Sequence, residues 1–123
     1  MDALELIRRY EKGERDFSGI NLSKAKLIGA NLPGINLWGA DLTGANLAKA
    51  KLWGANLSLA NLAQANLTRA NLSGANLQQA NLRGTRLYYI KYYGANFIDC
   101  TYDTSTRFSR GFDPTLYNMR LFE

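Results

Sequence analysis

The 123-residue sequence contains no histidine and a single cysteine, Cys100. Without histidine, the chain lacks the commonest general base and metal ligand of proteins. One cysteine can form neither a disulfide within the chain nor a cysteine-based zinc site. No apolar run approaches the ~20 residues of a membrane-spanning helix, and no opening segment has the pattern of a signal peptide. We therefore expect a cytoplasmic protein without a membrane partner.

Acidic residues are scarce in the middle of the chain. Residues 16–102 contain eight bases but only three acids, Asp16, Asp41 and Asp99, so the net charge of +5 arises entirely from this segment. Asp16 and Asp99 are expected at opposite ends of it, which disfavours catalysis by paired carboxylates. No glycine-rich phosphate-binding motif occurs. The sequence thus predicts a protein that is not an enzyme and uses no metal, cofactor or small-molecule substrate.

A five-residue repeat dominates the sequence. A leucine or an aromatic residue occupies every fifth position without insertion, as Phe17, fourteen leucines from Leu22 to Leu87, then Tyr92, Phe97 and Tyr102. We call this the central position. Two residues earlier is the alanine position, which Cys100 also occupies and where it is expected to be buried. One residue earlier, at the asparagine position, Asn or Asp is usual. A short fixed period of this kind indicates a solenoid.

A period of five fits neither the 3.6-residue helix nor the two-residue strand alternation. It fits a coil in which each pentad forms one short side and one corner, with the central and alanine positions turned inward. Nine of the eleven glycines lie two residues after a central residue, at what we call the corner position, where a turn requires positive φ. Asn or Asp before the central residue is expected to bond to nearby backbone groups.

The repeated Ala-Asn-Leu triplets, from Ala45-Asn46-Leu47 to Ala80-Asn81-Leu82, resemble those of the pentapeptide-repeat proteins. The resemblance spans residues 16–101, and both ends of the chain look like those of short cyanobacterial members. It implies an all-β solenoid, a right-handed quadrilateral β-helix with four pentads per coil. Eighteen pentads then give about 4.5 coils, each rising roughly 4.8 Å.

Both ends of the repeat are expected to carry caps, since an open solenoid edge invites association. We predict one domain in three parts: an N-terminal helical cap at 1–15, the β-helix at 16–102 and a C-terminal cap at 103–123. Asp2 and Glu5 resemble a capping box, Leu4, Ile7 and Tyr10 are expected to form the apolar stripe of a helix over 2–12, and Gly13 ends it. The repeat register is lost at Arg107, and apolar bulk for the second cap comes from Phe108, Phe112, Leu116, Tyr117, Met119, Leu121 and Phe122.

Four pentads per coil sort the outward residues into four faces. Face A is centred on Leu27, Leu47, Leu67 and Leu87, and face B on Leu32, Leu52, Leu72 and Tyr92. Face C follows with Trp38, Leu59 and Ile98, and face D, centred on Leu22, Leu42, Leu62 and Leu82, is mainly small and neutral. Faces A and B form what we call the basic side. The candidate partner surface comprises Lys26, Lys49, Lys51, Trp53, Arg69, Arg86, Tyr88, Tyr89, Lys91 and Tyr93 on the basic side, with Trp38 on face C.

This pattern favours a noncatalytic interaction module that presents cations and aromatic anchors to an acidic protein partner. A merely solvated face is an equally open interpretation, and Trp38 and Trp53 have the alternative of covering repeat corners or the N-terminal helix. The resemblance also suggests a DNA mimic that protects a topoisomerase, but mimicry requires negative charge. Weak nonspecific nucleic-acid binding is the remaining alternative. Monomer and dimer, the latter through the C-terminal cap, both stay open.

Overall fold

The computed structural model describes residues 1–123 and shows a backbone wound into stacked coils. Residues twenty apart pair in parallel, in an unbroken series that runs from Asp16 with Asn36 to Asn81 with Thr101. Twenty residues are four pentads, so each coil has four sides. The assignment of residues to faces A to D follows directly from this register.

Each pentad makes the same hydrogen bonds to its neighbouring coils. At the pentad of Leu22, the Leu22 N–H donates to the Asp41 carbonyl at 2.7 Å and the Lys24 N–H to the Thr43 carbonyl at 2.8 Å. Within the corner, the Ala25 N–H donates to the Leu22 carbonyl at 3.0 Å, which closes a β-turn. Because a turn follows every side, most sides consist of a single paired residue rather than a long strand.

Regular elements are therefore few and short. Helix α1 spans Ala3–Glu11, and the strands are β1 (Arg86–Leu87), β2 (Thr101–Tyr102), β3 (Arg107–Phe108) and β4 (Arg120–Leu121). A 3₁₀ helix spans Pro114–Tyr117. Strand β1 pairs in parallel with β3, and β2 with β4.

The interior is a column of leucines interleaved with alanines. All central leucines from Leu22 to Leu87 are buried, as are the alanines from Ala40 to Ala80. Two non-alanine residues at the alanine position donate a hydrogen bond to a carbonyl of the preceding coil. Thr85 Oγ1 donates to the Leu62 carbonyl at 2.7 Å, and Cys100 Sγ to the Leu77 carbonyl at 2.8 Å. The expected burial of Cys100 is confirmed, and that burial raises the pKa of its thiol to about 12.

Every corner position from Gly19 to Asp99 has positive φ, as the glycine register predicts. Eight of these corners carry a side chain instead of glycine, with φ between 57° and 63°: Lys24, Lys49, Leu59, Gln64, Arg69, Gln79, Tyr89 and Asp99. The hydrogen bonds between coils hold this left-handed conformation even where no glycine relieves it. The coil thus determines the left-handed conformation of the corner residue, and glycine only lowers the conformational free energy of that residue.

Helix α1 lies at the N-terminal end of the coils. Asp2 caps it by accepting a hydrogen bond from the Glu5 N–H at 2.8 Å, whereas the Glu5 carboxylate pairs with Arg8 rather than completing the capping box. The predicted stripe is wrong at Leu4, which is 67% exposed. Leu6 and Tyr10 are the buried residues, flanked by Ala3 and Ile7. Spacings of three, four and seven residues place these four on one face of the helix.

The C-terminal segment continues the coil although the five-residue register is lost at Arg107, as predicted. One residue is inserted after Tyr102, so that Arg107 pairs with Arg86, 21 residues earlier, and Phe108 with Leu87. The insertion displaces the backbone carbonyl that would meet the Gly84 N–H, and this N–H donates instead to the Asp103 carboxylate and the Thr106 hydroxyl, both at 3.2 Å.

Aromatic side chains close this end of the core. The central positions of the final turn are Tyr92, Phe97, Tyr102 and Phe108, one from each face, and Phe112 and Tyr117 stack over them. Ring centroids lie 4.9 Å apart for Phe112 and Tyr117 and 5.0 Å apart for Phe108 and Phe112. Met119 is also buried. Leu116, Leu121 and Phe122 are exposed, so their prediction as apolar bulk of the cap is wrong.

Candidate interaction surface

The structure brings ten of the eleven predicted surface residues together on the basic side. All ten are exposed except Tyr88, which is half-buried. Trp38 stands apart on face C, where its side chain is 47% exposed. The side chains of the basic side project from neighbouring coils, because residues twenty apart are in register.

No carboxylate of the coil body lies on the basic side. The acids of the coil body, Asp16, Asp41 and Asp99, are on faces C and D, whereas six of the eight body cations are on faces A and B. The three ion pairs of the molecule join Arg8 to Glu5, Arg9 to Glu14 and Arg120 to Asp99, and all lie outside this side. The six cations, Lys26, Lys49, Lys51, Arg69, Arg86 and Lys91, therefore form no ion pair within the chain.

Four of these cations replace the residue that normally organises the corner. Where Asn or Asp is present, its Oδ1 accepts a hydrogen bond from the N–H two residues later, as Asn66 Oδ1 does from the Thr68 N–H at 3.0 Å. This confirms the predicted bonding of the asparagine position. Lys26, Lys51, Arg86 and Lys91 have no such acceptor, so each substitution loses one local hydrogen bond and gains one positive charge. All four fall on the basic side.

Aromatic side chains are interleaved with the charges. The Arg69 guanidinium lies over the Tyr89 ring, 5.0 Å from its centroid. Tyr93 is 91% exposed and Trp53 51% exposed, and neither makes an aromatic contact within the chain. Exposed aromatic surface next to cations is typical of binding surfaces, because both supply contact area and orientation.

Arg107 is a cation of face A that the sequence register missed. It lies opposite Arg86 on the adjacent strand and extends face A by one coil. A signal was present: Thr106-Arg107-Phe108 repeats the order of Thr85-Arg86-Leu87, namely a hydroxyl at the alanine position, then arginine, then an apolar central residue. The inserted residue shifts this second triplet out of the five-residue count.

Two open grooves accompany this surface. The larger, with a volume of about 540 Å³, runs along the corner between faces D and A and is lined mainly by polar residues, including Asn46, Gln64, Asn66, Arg86 and Ser105. The smaller, of about 430 Å³, lies between the start of α1 and the first coil, beside Lys24 and Lys26.

No cluster of three or more metal-ligating side chains is present. Neither helix has the length and apolarity that crossing a bilayer requires.

The carboxylates with perturbed acidity have structural partners. Hydrogen bonds from the Ser18 and Thr43 hydroxyls and N–H groups lower the pKa of Asp16 and of Asp41, respectively. The Ser105 hydroxyl similarly lowers the pKa of Asp103, and Thr115 that of Asp113. Each acid thus stabilises a turn, and none forms an acid–base pair with another.

Five-residue units stacked at four per coil define the molecule as a repeat solenoid with a leucine core. The family model described as pentapeptide repeats matches residues 20–58 and 54–88, in eight copies. The chain belongs to the pentapeptide repeat family, whose members fold as right-handed quadrilateral β-helices. The resemblance inferred from the Ala-Asn-Leu triplets is confirmed.

The solved structures that are similar include two cyanobacterial members. The pentapeptide repeat protein alr5209 from Nostoc PCC 7120 is 34% identical, with a TM-score of 0.83 over 98% of this chain and 96% of that one. Rfr23 from Cyanothece 51142 is 39% identical, with a TM-score of 0.64 over 76% of this chain and 63% of that one. Among curated proteins, none matches this chain significantly in sequence.

QnrB1, a plasmid-mediated fluoroquinolone resistance protein, is far less similar. Its full-length structure is 21% identical and gives a TM-score of 0.32 over 87% of this chain and 62% of that one. At this distance the likeness carries no functional argument.

Proposed function

We propose that the protein is a noncatalytic interaction module whose basic side binds an acidic protein partner. The observation that carries the proposal is the separation of charge: six cations and the exposed Trp53, Tyr89 and Tyr93 share two adjacent faces whose coil-body pentads contain no carboxylate. Unpaired cations steer an acidic partner towards the surface, and rigid aromatic side chains supply apolar contact once it arrives. The coil holds the cations and the aromatic side chains in fixed register.

The closed ends are part of this proposal. The Met1 amino group donates to the Asn21 carbonyl at 3.0 Å, and the Tyr10 hydroxyl donates to the Pro33 carbonyl, so α1 binds exposed acceptors of the first coil. At the other end, the Arg120 N–H donates to the Cys100 carbonyl at 2.7 Å. These contacts support capping, which blocks end-to-end association and leaves the basic side as the binding surface. Light scattering tests this: we expect a monomer, and a concentration-dependent oligomer would contradict it.

Charge reversal tests the partner surface. Lys51→Glu with Lys91→Glu reverses two cations of face B, and Lys12→Glu with Lys24→Glu reverses two exposed cations elsewhere. We expect the wild type and the second variant to capture the same acidic protein from a host lysate at moderate salt. The first variant should lose it without a lower melting temperature. Equal capture by both variants would reject the basic side as the binding surface.

The alternative functions are distinguished by the sign of the surface charge that they require and by how strongly their binding depends on salt. A DNA mimic requires acidic faces, and the absence of carboxylates from the coil-body pentads of faces A and B speaks against that function. Nonspecific nucleic-acid binding fits the charge but would fall steeply as salt rises towards physiological concentration. Binding of an oligonucleotide that survives physiological salt and is lost in the Lys51→Glu, Lys91→Glu variant would favour nucleic acid over a protein partner.

A further inference from the structure

A column of hydrogen-bond donors runs up face A beside the larger groove. Asn46, Asn66, Arg86 and Arg107 lie in register on successive coils, each about 4.8 Å from the next in the hydrogen-bonding direction. The first three line the groove directly. Two asparagines are thus followed by two arginines in one straight row.

The asparagines offer donors only. The Oδ1 atom of Asn46 accepts from the Ala48 N–H at 3.1 Å, and that of Asn66 from the Thr68 N–H at 3.0 Å. Each amide therefore turns its NH₂ group outward, and neither NH₂ group has an acceptor within the chain. A guanidinium can only donate. The row consequently presents donors on all four coils and positive charge on the last two.

The two arginines lack a counter-charge. Like charges opposite each other on adjacent strands are destabilising, and neither guanidinium has a carboxylate within ion-pair distance. The Arg107 guanidinium donates to the Thr104 carbonyl at 2.9 Å, and the Arg86 guanidinium has no hydrogen-bond partner within the chain. Asp103 is close in sequence, but its carboxylate is bound by Gly84, Ser105 and Thr106. The chain itself therefore supplies neither guanidinium with an anionic partner.

Room for such an anion comes from the corner beside the row. Gly84 occupies this corner, and a Cβ atom there would lie 3.2 Å from Gln64 Cγ and 3.3 Å from Ser105 Oγ. Glycine at this position therefore keeps the floor of the groove open next to Arg86. The groove has a volume of about 540 Å³ and no acidic lining residue.

We propose that a phosphate monoester binds at the end of this groove, between Arg86, which lines it, and Arg107, which is paired with Arg86 on the adjacent strand, with the Asn66 amide as a further donor. Two arginines in register on adjacent strands match the charge of a phosphate monoester, about −1.5 to −2 at neutral pH, whereas one carboxylate neutralises only one of them. Arginine also binds phosphate oxygens with two parallel hydrogen bonds. The site does not depend on the acidic protein partner: a small phosphorylated molecule or a phosphorylated side chain supplies the same group.

Titration of the full chain with inorganic phosphate, followed by amide NMR shifts at constant ionic strength, tests the site. We expect phosphate to shift the amides of Asn66, Arg86 and Arg107 in the wild type. Arg86→Asn, which restores the usual repeat residue and so should keep the fold, and Arg107→Gln should each weaken binding about tenfold or more. Lys51→Asn makes the same kind of change on face B and should leave binding unaltered.

The proposal is overturned if phosphate produces no localised shifts, if Arg86→Asn binds it as well as the wild type, or if Lys51→Asn weakens it equally. The Lys51→Glu, Lys91→Glu variant keeps both arginines, so failure of the protein-partner proposal is seen separately.

Two peptides that differ only in phosphoserine or glutamate identify the source of the group. A phosphopeptide that binds more tightly than both inorganic phosphate and the glutamate peptide indicates a phosphorylated partner. Equal affinity for phosphopeptide and inorganic phosphate indicates a small phosphorylated ligand. A glutamate peptide that binds as tightly as the phosphopeptide would contradict recognition of phosphate.

Discussion

The carboxylate of Asp103 accepts a hydrogen bond of 3.2 Å from the N–H of Gly84, one coil below. At the preceding corner of the same column, the Gln64 N–H donates to a backbone carbonyl, that of Arg83. Asp103 therefore replaces a missing carbonyl where the chain inserts a residue, and it also accepts from the Ser105 hydroxyl at 2.6 Å. This side chain lets the coil continue past the insertion.

Substitution of Asp103 tests that role. We expect Asp103→Ala to lower the free energy of unfolding and to loosen the pairing of β3 with β1, because the Gly84 N–H loses an acceptor. Asp103→Asn keeps a side-chain oxygen and should cost less. Urea denaturation gives the ranking, and hydrogen exchange at Leu87 and Phe108 reports the local effect. An alanine variant as stable as the asparagine variant would contradict the assigned role.

Acid stability follows from the same type of contact. Hydroxyl and N–H donors hold the pKa values of Asp16, Asp41, Asp103 and Asp113 below their ordinary value of 3.8. A lowered pKa in the folded state stabilises the fold above the unfolded pKa, and this contribution disappears as pH falls through the folded pKa. We therefore expect denaturation midpoints to be insensitive to these groups above about pH 5 and to fall below about pH 4.

A control for the loss of stability at acidic pH replaces two of these aspartates by asparagine, the residue that is usual at their position in the repeat. Asp16→Asn with Asp41→Asn places the usual asparagine at both positions, which keeps the turn bonds but removes two titrating groups. The double variant should lose less stability between neutral and acidic pH than the wild type. An identical loss would show that these aspartates do not cause the acid sensitivity.

A comparison of two leucines tests which positions of the repeat point into the core. Leu67 is fully buried at a central position, whereas Leu59 is 47% exposed at a corner. Leu67→Ala should cost about 2–5 kcal/mol of unfolding free energy, because it leaves a cavity in the leucine column. Leu59→Ala should change stability by less than about 1 kcal/mol. Chemical denaturation measures both, and similar costs at the two sites would contradict the inward direction of the central residues.

Cys100 serves as a reporter of the closed core. Its thiol is buried with a pKa raised to about 12, so the reactive thiolate is scarce in the folded protein near neutral pH. An alkylating reagent should therefore leave the native chain unmodified and label it in denaturant, as read by mass spectrometry. The raised pKa also stabilises the fold below pH 9, and this contribution should decline above it as the unfolded thiol ionises. Rapid labelling of the native chain would contradict the burial of Cys100.

The sequence predicted the parts of the molecule that repeat. Central residues such as Leu47, corner glycines such as Gly74 and the face assignment of Lys51 all follow from a constant period, because identical pentads must occupy equivalent places in the coil. The burial of Cys100 follows for the same reason, since it stands where alanine is usual.

The two ends were harder to predict because no repeat constrains them. At the helix, Leu4 and Leu6 are both apolar, and only the docking direction makes Leu6 the buried one. At the other end, strict counting by five hid the partnership of Arg86 and Arg107, since hydrogen bonds to Asp103 accommodate an extra residue. Leu121 and Phe122 are apolar but exposed, a contrast that composition does not reveal.

The coil register assembles the basic side, and engineered cysteine pairs measure this register most directly. Asn71 and Lys91 are paired in register on face B. In a Cys100→Ala background, Asn71→Cys with Lys91→Cys should oxidise readily to an intramolecular disulfide, because Cα atoms of a disulfide lie about 4.4–6.8 Å apart. Asn76→Cys with Lys91→Cys, on different faces, should remain reduced. Disulfide formation by the second pair but not the first, read by intact mass, would contradict four pentads per coil and with it the basic side.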